Sequence, residues 1–368
     1  MKRLVLLGGG HAHVEVLRRL SVAPLDGVEL MVITPSRHTT YSGMLPGLIA
    51  GHYARREAEI DVEHLAHAAG ARIVHDEGIG LDVERRTLAC AQTPGVSYDW
   101  LSMDIGSMPD TASIENAQRF GLAVRPVEHL LAGVDALMER ARRQAIEVAV
   151  VGAGAGGIEL CLALDYRARR EAGPERVRFS MVSETKELLP HFGEPVRKRV
   201  DRVLQQRGIA VHRGCRVIAA QEGGLLLEAG THIRTDMPIW VTGPAAAPWL
   251  RGSGLNLDDR GFVLVDECLR STSHPEVFAA GDVATMAHHA RPKSGVYAVR
   301  QGPALSANLR RAVRNQPLRR FAPQRRALQL ISVGERAAIA SWGALAVEGG
   351  WVWRWKDWID RRFIARYA

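Results

Sequence analysis

The stretch that decides the fold is Leu4-Val5-Leu6-Leu7-Gly8-Gly9-Gly10-His11-Ala12-His13-Val14-Glu15-Val16-Leu17, where an apolar run breaks into glycines and resumes with helical periodicity. Such a run reads as a buried strand, and glycine directly after it permits a turn tight enough to start a helix. Gly8 allows that turn. Gly10 lets a pyrophosphate approach the backbone at the helix N-terminus, where free N–H groups and the positive dipole end meet; His11, the next residue, is counted with them. His13 stands where the third glycine of G-x-G-x-x-G would be, so this copy is incomplete. The second strand, Val28-Glu29-Leu30-Met31-Val32-Ile33, ends at Thr34, where an acid would ordinarily hold a ribose and a hydroxyl bonds it more weakly.

The arrangement recurs at Val148-Ala149-Val150-Val151-Gly152-Ala153-Gly154-Ala155-Gly156-Gly157-Ile158-Glu159-Leu160, now with all three glycines. The helix is expected to run to about Arg170 and the following strand, 177–182, to end at Ser183-Glu184. Glu184 favours a free ribose 2′-hydroxyl and hence NADH, whereas Ser183 with Lys186 would tolerate the 2′-phosphate of NADPH; the sequence leans to NADH. Two copies in one chain, each between an apolar strand and an amphipathic helix, predict two dinucleotide sites.

Working outward, segments 71–75, 78–82 and 87–90 read as a β-meander. Tyr98-Asp99-Trp100-Leu101-Ser102-Met103-Asp104-Ile105-Gly106-Ser107 and Met237-Pro238-Ile239-Trp240-Val241-Thr242-Gly243 look like matched exits from the two units. Val277-Phe278-Ala279-Ala280-Gly281-Asp282 presents a glycine and an acid at the C-terminal end of a buried strand, where ligands collect in parallel sheets; the plainer reading makes Asp282 a helix N-cap. The 368 residues suffice for two or three domains, and 46% hydrophobic with 24% charged residues excludes disordered, collagenous and coiled-coil chains. A net charge of +8 favours anionic partners without saying which. Cys90, Cys161, Cys215 and Cys268 lie too far apart for a metal knuckle or redox pair, and no metal or nucleic-acid site is expected. No apolar run reaches the roughly 20 residues of a spanning helix and glycine comes too early for a signal peptide, so the expected location is cytoplasmic.

The order of these motifs, with the V-F-A-A-G-D strand, resembles the flavoprotein superfamily with two dinucleotide-binding domains, and within it the type II NADH dehydrogenase and sulfide:quinone reductase branch. The resemblance implies an α/β fold with two Rossmann-like domains of the glutathione-reductase type, the second inserted in the first. Residues 1–112 and 242–318 would bind FAD, 113–241 would bind NAD(P)H, and 319–368 would form a C-terminal hairpin and amphipathic helix. Carried over, the FAD roles fall to Gly8, Gly10, Gly281 and Asp282, and the nicotinamide roles to Gly152, Gly154, Gly157 and Glu159. The motifs 8–14, 41–47 and 293–302 are also similar to a subgroup found as the N-terminal half of a selenophosphate synthetase fusion, which implies that enzyme as a partner and a selenium-linked reductase as an alternative activity. A nucleotide-binding redox sensor with little turnover is the competing non-enzyme reading.

Hydride transfer needs orientation more than acid or base, plus positive charge where the reduced flavin becomes negative. Lys293 and the helix beginning near Gly295 are the candidates. No cysteine pair lies near the first helix, which argues against disulfide reduction, and Glu159 stands where sulfide:quinone reductases carry a cysteine. Type II NADH dehydrogenases carry A-Q-x-x-x-Q beside the flavin; Gln301 matches the second glutamine and Tyr297 replaces the first. A quinone-like acceptor is therefore expected. The last segment, 351–367, from Trp351 to Tyr367, places Val352, Trp355, Ile359 and Phe363 on one apolar stripe among Arg354, Lys356, Arg361 and Arg362. Such a helix can lie on the inner face of a membrane as a peripheral contact, or pack on the flavin domain.

Overall fold

The computed structural model describes residues 1–324, 327–343 and 345–368. Strand β1 (Lys2–Leu7) is buried from Leu4 onward because it has parallel neighbours on both edges and helices over its faces. Helix α1 (His11–Val22) returns the chain to β2 (Val28–Ile33), and β3 (Arg72–Val74) and β4 (Trp100–Met103) extend the sheet. The chain then builds a second sheet from β5 (Leu122–Ala123), β6 (Ile146–Val151), β7 (Val177–Ser183), β8 (Ala210–Arg213) and β9 (Met237–Trp240), with α2 (Ala155–Glu171) between β6 and β7. Strand β10 (Val277–Ala279) goes back to the first sheet.

The two sheets repeat one plan. The first has the order β10-β4-β1-β2-β3 and the second β5-β9-β6-β7-β8, all parallel. In both, the first strand lies between its successor and the exit strand: Val5 pairs with Met31 and Leu101, and Val150 with Met181 and Ile239. This is the expected α/β architecture. One reading is corrected: segment 71–75 supplies β3 of the first parallel sheet, while Thr87–Cys90 pairs antiparallel with Gly78–Asp82 on one edge and with Val96–Ser97 on the other. The short 72–74 run leaves the buried edge of β2 paired, which a place in the meander would not.

Helix α3 (Gly295–Val313) packs on α1 at Gly302, where a Cβ would come within 2.7 Å of the Glu15 Cβ. The chain ends in an antiparallel sheet, β11 (Gln329–Ser332), β12 (Ala338–Trp342) and β13 (Leu345–Gly349), followed by α4 (Gly350–Ile364). The inward face of α4 is Val352, Trp353, Lys356, Asp360 and Phe363. The apolar stripe expected from periodicity is corrected here: Trp355 is 39% exposed, and a Lys356–Asp360 ion pair of 2.6 Å takes the buried side. The pair is tolerated inside because it is hydrogen-bonded further, Lys356 Nζ to the Gly43 carbonyl and Tyr41 to Asp360. Among the described residues no helix is long and apolar enough to cross a membrane.

Candidate active site

Both glycine turns are closed by the backbone of the neighbouring exit strand. Gly8 has φ +94°, and a Cβ there would lie 2.4 Å from the Asp104 carbonyl oxygen; Gly152 has φ +118°, with its Cβ 2.1 Å from that of Val241. No L side chain fits either position, so the glycines follow from strand spacing as well as from ligand approach. Beyond that point the copies diverge. In the second, a Cβ on Gly157 would sit 1.9 Å from the Gly152 carbonyl oxygen, whereas one on Gly154 would meet nothing within 4 Å, so the N-terminus of α2 is open.

In the first copy the N-terminus of α1 is already furnished. Asp104, the counterpart of Val241, accepts the N–H groups of Ala12 (2.7 Å) and His13 (3.0 Å) on Oδ2, and a Cβ on Gly10 would come within 2.3 Å of its Cγ. Burial, with a smaller contribution from Asp282, pushes its carboxyl up to about 7 against these bonds and the Arg125 charge. His13 replaces the missing glycine by bonding: its Nδ1–H donates to the Gly8 carbonyl (2.6 Å) and its Nε2 accepts from the Ser102 hydroxyl (2.8 Å). Burial drives it down to about 4, so the ring is neutral. His11 is likewise pushed to about 4 by burial and accepts the Ser42 N–H at 3.3 Å. Asp104 is the residue that reading each motif by itself passes over; aligning the two exits, Asp104 against Val241, would have exposed it.

Both turns open on one continuous cavity of about 1620 Å³, larger than the roughly 300–1,000 Å³ of a drug-sized pocket. Gly8, Gly10, His11, Thr34 and Asp282 line it from the first unit; Gly152, Gly154, Gly157, Glu159 and Glu184 line it from the second. Among the described residues Asp282 makes no cap bond to a helix; its carboxylate accepts from Ser107 Oγ at 3.5 Å. Thr34 donates weakly to the Ser36 carbonyl (3.3 Å), and Glu184 is exposed beside Arg216 (3.8 Å).

Lys293 also borders the cavity, but its ammonium donates to the Ala284 carbonyl (2.5 Å) and Thr285 Oγ1 (2.8 Å) and lies 4.0 Å from the Phe262 ring centroid. Burial lowers it to about 8. Gly281, Gln301 and Tyr297 stand behind this wall, around an adjoining space of about 30 Å³. Gln301 Oε1 accepts the Gly281 N–H at 2.7 Å and so fixes the Gly281–Asp282 turn.

At its far end the cavity reaches Tyr41, Glu159, Lys356, Ile359 and Asp360. Glu159 in the second turn of α2 accepts the Ser332 N–H (2.8 Å), and burial raises it to about 6 although Lys356 opposes this. Asp360 is also raised by burial, and Tyr41 stacks on Phe363 at 4.3 Å. The chamber thus has aromatic walls and buried groups able to hold a proton. The four cysteines are free; Cys161 is buried, which raises its thiol, and Cys215 borders the cavity.

Known proteins resemble this chain in sequence and in fold. A family model described as pyridine nucleotide-disulphide oxidoreductase matches residues 2–302. The internal alternative NAD(P)H-ubiquinone oxidoreductase A1 of Arabidopsis thaliana is 23% identical over 313 residues, 76% of this chain; the chain spans only 60% of that relative's length. The type II NADH:quinone oxidoreductase of Staphylococcus epidermidis is 21% identical, with 87% of this chain and 85% of the relative covered. The crystal structure of the sulfide:quinone oxidoreductase of Aquifex aeolicus superposes with a TM-score of 0.81 at 16% identity, covering 100% of this chain and 91% of the other.

Proposed function

From membership of the pyridine nucleotide-disulphide oxidoreductase family, to which this chain belongs, we propose that it is an FAD-dependent NAD(P)H dehydrogenase that passes electrons to a quinone-like acceptor. The observation that carries this reading is the continuity of the cavity from two glycine cradles to the chamber at α4. Bound flavin and nicotinamide would supply the hydride chemistry themselves. The chain's part is to bind, orient and exclude water. Residues 1–112 and 242–318 hold FAD through Gly8, Gly10, His11, Thr34, Gly281 and Asp282. Residues 113–241 hold the nicotinamide dinucleotide through Gly152, Gly154 and Gly157, with Glu184 at a ribose hydroxyl and NADH preferred over NADPH. Gln301 is a positioning residue through Gly281, and Tyr297 supports the same wall. Lys293 and the N-terminus of α3 bring positive charge toward the flavin, and Glu159, at the nicotinamide turn, holds a proton where the cavity reaches α4.

The acceptor chamber adjoins the C-terminal region, 319–368, whose outer surface exposes Trp342, Leu345, Val347, Trp351, Trp355 and Trp358. Together with Arg354 and Arg362 this suits a peripheral, salt-sensitive contact with anionic lipid on the inner face of a membrane. Flotation of the full chain with anionic liposomes tests it. The reading expects binding that falls with salt and is lost when Trp351, Trp355 and Trp358 are changed together to Ser; flotation unaffected by the triple change removes this surface from the account. An acceptor screen with soluble quinones and oxidised selenium species tests the acceptor. Faster turnover of selenium species would favour the selenophosphate synthetase partnership that the motifs 8–14, 41–47 and 293–302 suggest.

A further inference from the structure

Asp104 is the feature of the first unit that a generic dinucleotide cradle does not require. Its side chain is 3% exposed, and Oδ2 is engaged by the N-terminus of α1, yet among the described residues Oδ1 accepts no hydrogen bond. Oδ1 sits between Gly10 and the turn after β10: a Cβ on Gly10 would lie 2.4 Å from it and one on Gly281 2.5 Å. The carboxyl therefore fills the gap between the glycines of α1 and the Gly281–Asp282 turn, where the flavin reading puts the pyrophosphate. Few charged groups face it. Asp282, from the turn after β10, disfavours its ionised form, and Arg125, from the segment before the helix Val127–Arg143, favours it. His11 and His13, from α1, are neutral at physiological pH.

A phosphate group brought against an ionised carboxylate in a desolvated wall meets repulsion that water no longer screens. A protonated carboxyl in the same place is instead a hydrogen-bond donor. We propose that Asp104 takes up one proton from solvent when a dinucleotide binds the first unit and donates it in a hydrogen bond to a pyrophosphate oxygen, so that this site is proton-linked and the second is not. The inference rests on the reading of the first unit as the FAD site. Its counterpart Val241 supplies no such group to the second unit. Burial, which holds the carboxyl near 7 in the free chain, places the linkage in the neutral range.

Calorimetric binding of FAD to the full-length chain freed of flavin, between pH ~6 and ~9 in two buffers of different ionisation enthalpy, measures affinity and protons taken up together. For the native chain the expected result is about one proton per FAD at the alkaline end and a dissociation constant rising about tenfold per pH unit above pH ~7. Asp104→Asn, whose amide keeps an acceptor for α1 and offers N–H to the phosphate, is expected to bind with no pH dependence and more tightly than the native chain at pH ~9. Native binding independent of pH, without proton uptake, would make Asp104 an ionised helix cap and overturn the proposal while leaving the flavin site standing. FAD bound by neither chain at any pH would overturn the flavin reading and the proposal with it. Should the variant fail to fold, the native proton count decides alone.

Discussion

The two Rossmann-like units share strand order, turn geometry and the first two glycines of the turn, but they furnish the N-terminus of the following helix differently. The second presents an open helix N-terminus beside Val241, with Gly157 letting α2 press against the Gly152 carbonyl oxygen. The first caps its helix with Asp104 and spans the place of that glycine with the His13 bridge between Gly8 and Ser102. A cradle ready to exchange its ligand at each turnover needs little of its own chain in the way. A cradle that keeps its ligand can be built more tightly, with buried polar groups that hold its walls and set conditions on filling it. The difference between the copies is the one expected if, as proposed, the second unit exchanges a nicotinamide cofactor and the first keeps a flavin.

The largest effects separate the two cradles. Gly10→Val drives a branched side chain into Asp104, already 2.3 Å from a modest Cβ, and should yield protein without flavin. A Cβ at Gly154 meets nothing within 4 Å, so Gly154→Val should fold normally and keep flavin while losing reduction by NADH and retaining reduction by dithionite. Flavin spectra before and after each reductant check both; normal NADH reduction in Gly154→Val would make the second unit structural. Transplanting the carboxylate is the next test. Val241→Asp should raise the KM for NADH at least tenfold, since a charge pair about 4 Å apart at a protein surface is worth up to about 4 kcal/mol. Steady-state kinetics at two pH values should show the penalty shrinking at acid pH, as the new carboxyl is protonated.

Smaller effects concern what replaced the third glycine and what reads the ribose. His13→Ala removes two buried hydrogen bonds and the ring between α1 and the exit strand, and should cost about 2–4 kcal/mol in denaturant unfolding with flavin bound. A change within error would mean that the helix settles onto the sheet as α2 does. Glu184→Ala should narrow the preference for NADH over NADPH by only a few-fold, because Glu184 is exposed and shares its surroundings with Arg216. The ratio of kcat/KM values for the two cofactors measures it.

The parallel sheets were legible because strand, turn and helix signals are local: the apolar runs at 4–7 and 148–151 and the glycines after them specify the units without any distant contact. His13 looked like a defect because its bonds to Gly8 and Ser102 join residues 5 and 89 apart in sequence. The C-terminal stripe departs from periodicity because the carbonyl that receives Lys356, that of Gly43, lies 313 residues away in sequence. Periodicity favours tryptophan over lysine on a buried face, but Lys356 finds Asp360 and the Gly43 carbonyl inside while Trp355 stays out. The short 72–74 run carries no signal that distinguishes a third parallel strand from a meander.

That the two cradles act in series is tested most directly by anaerobic titration of the purified full chain with NADH, followed in the visible spectrum. The expected result is a yellow protein carrying about one flavin per chain, bleached by NADH and recoloured when a soluble quinone is admitted. A colourless chain, or a yellow one that only dithionite bleaches, would contradict it.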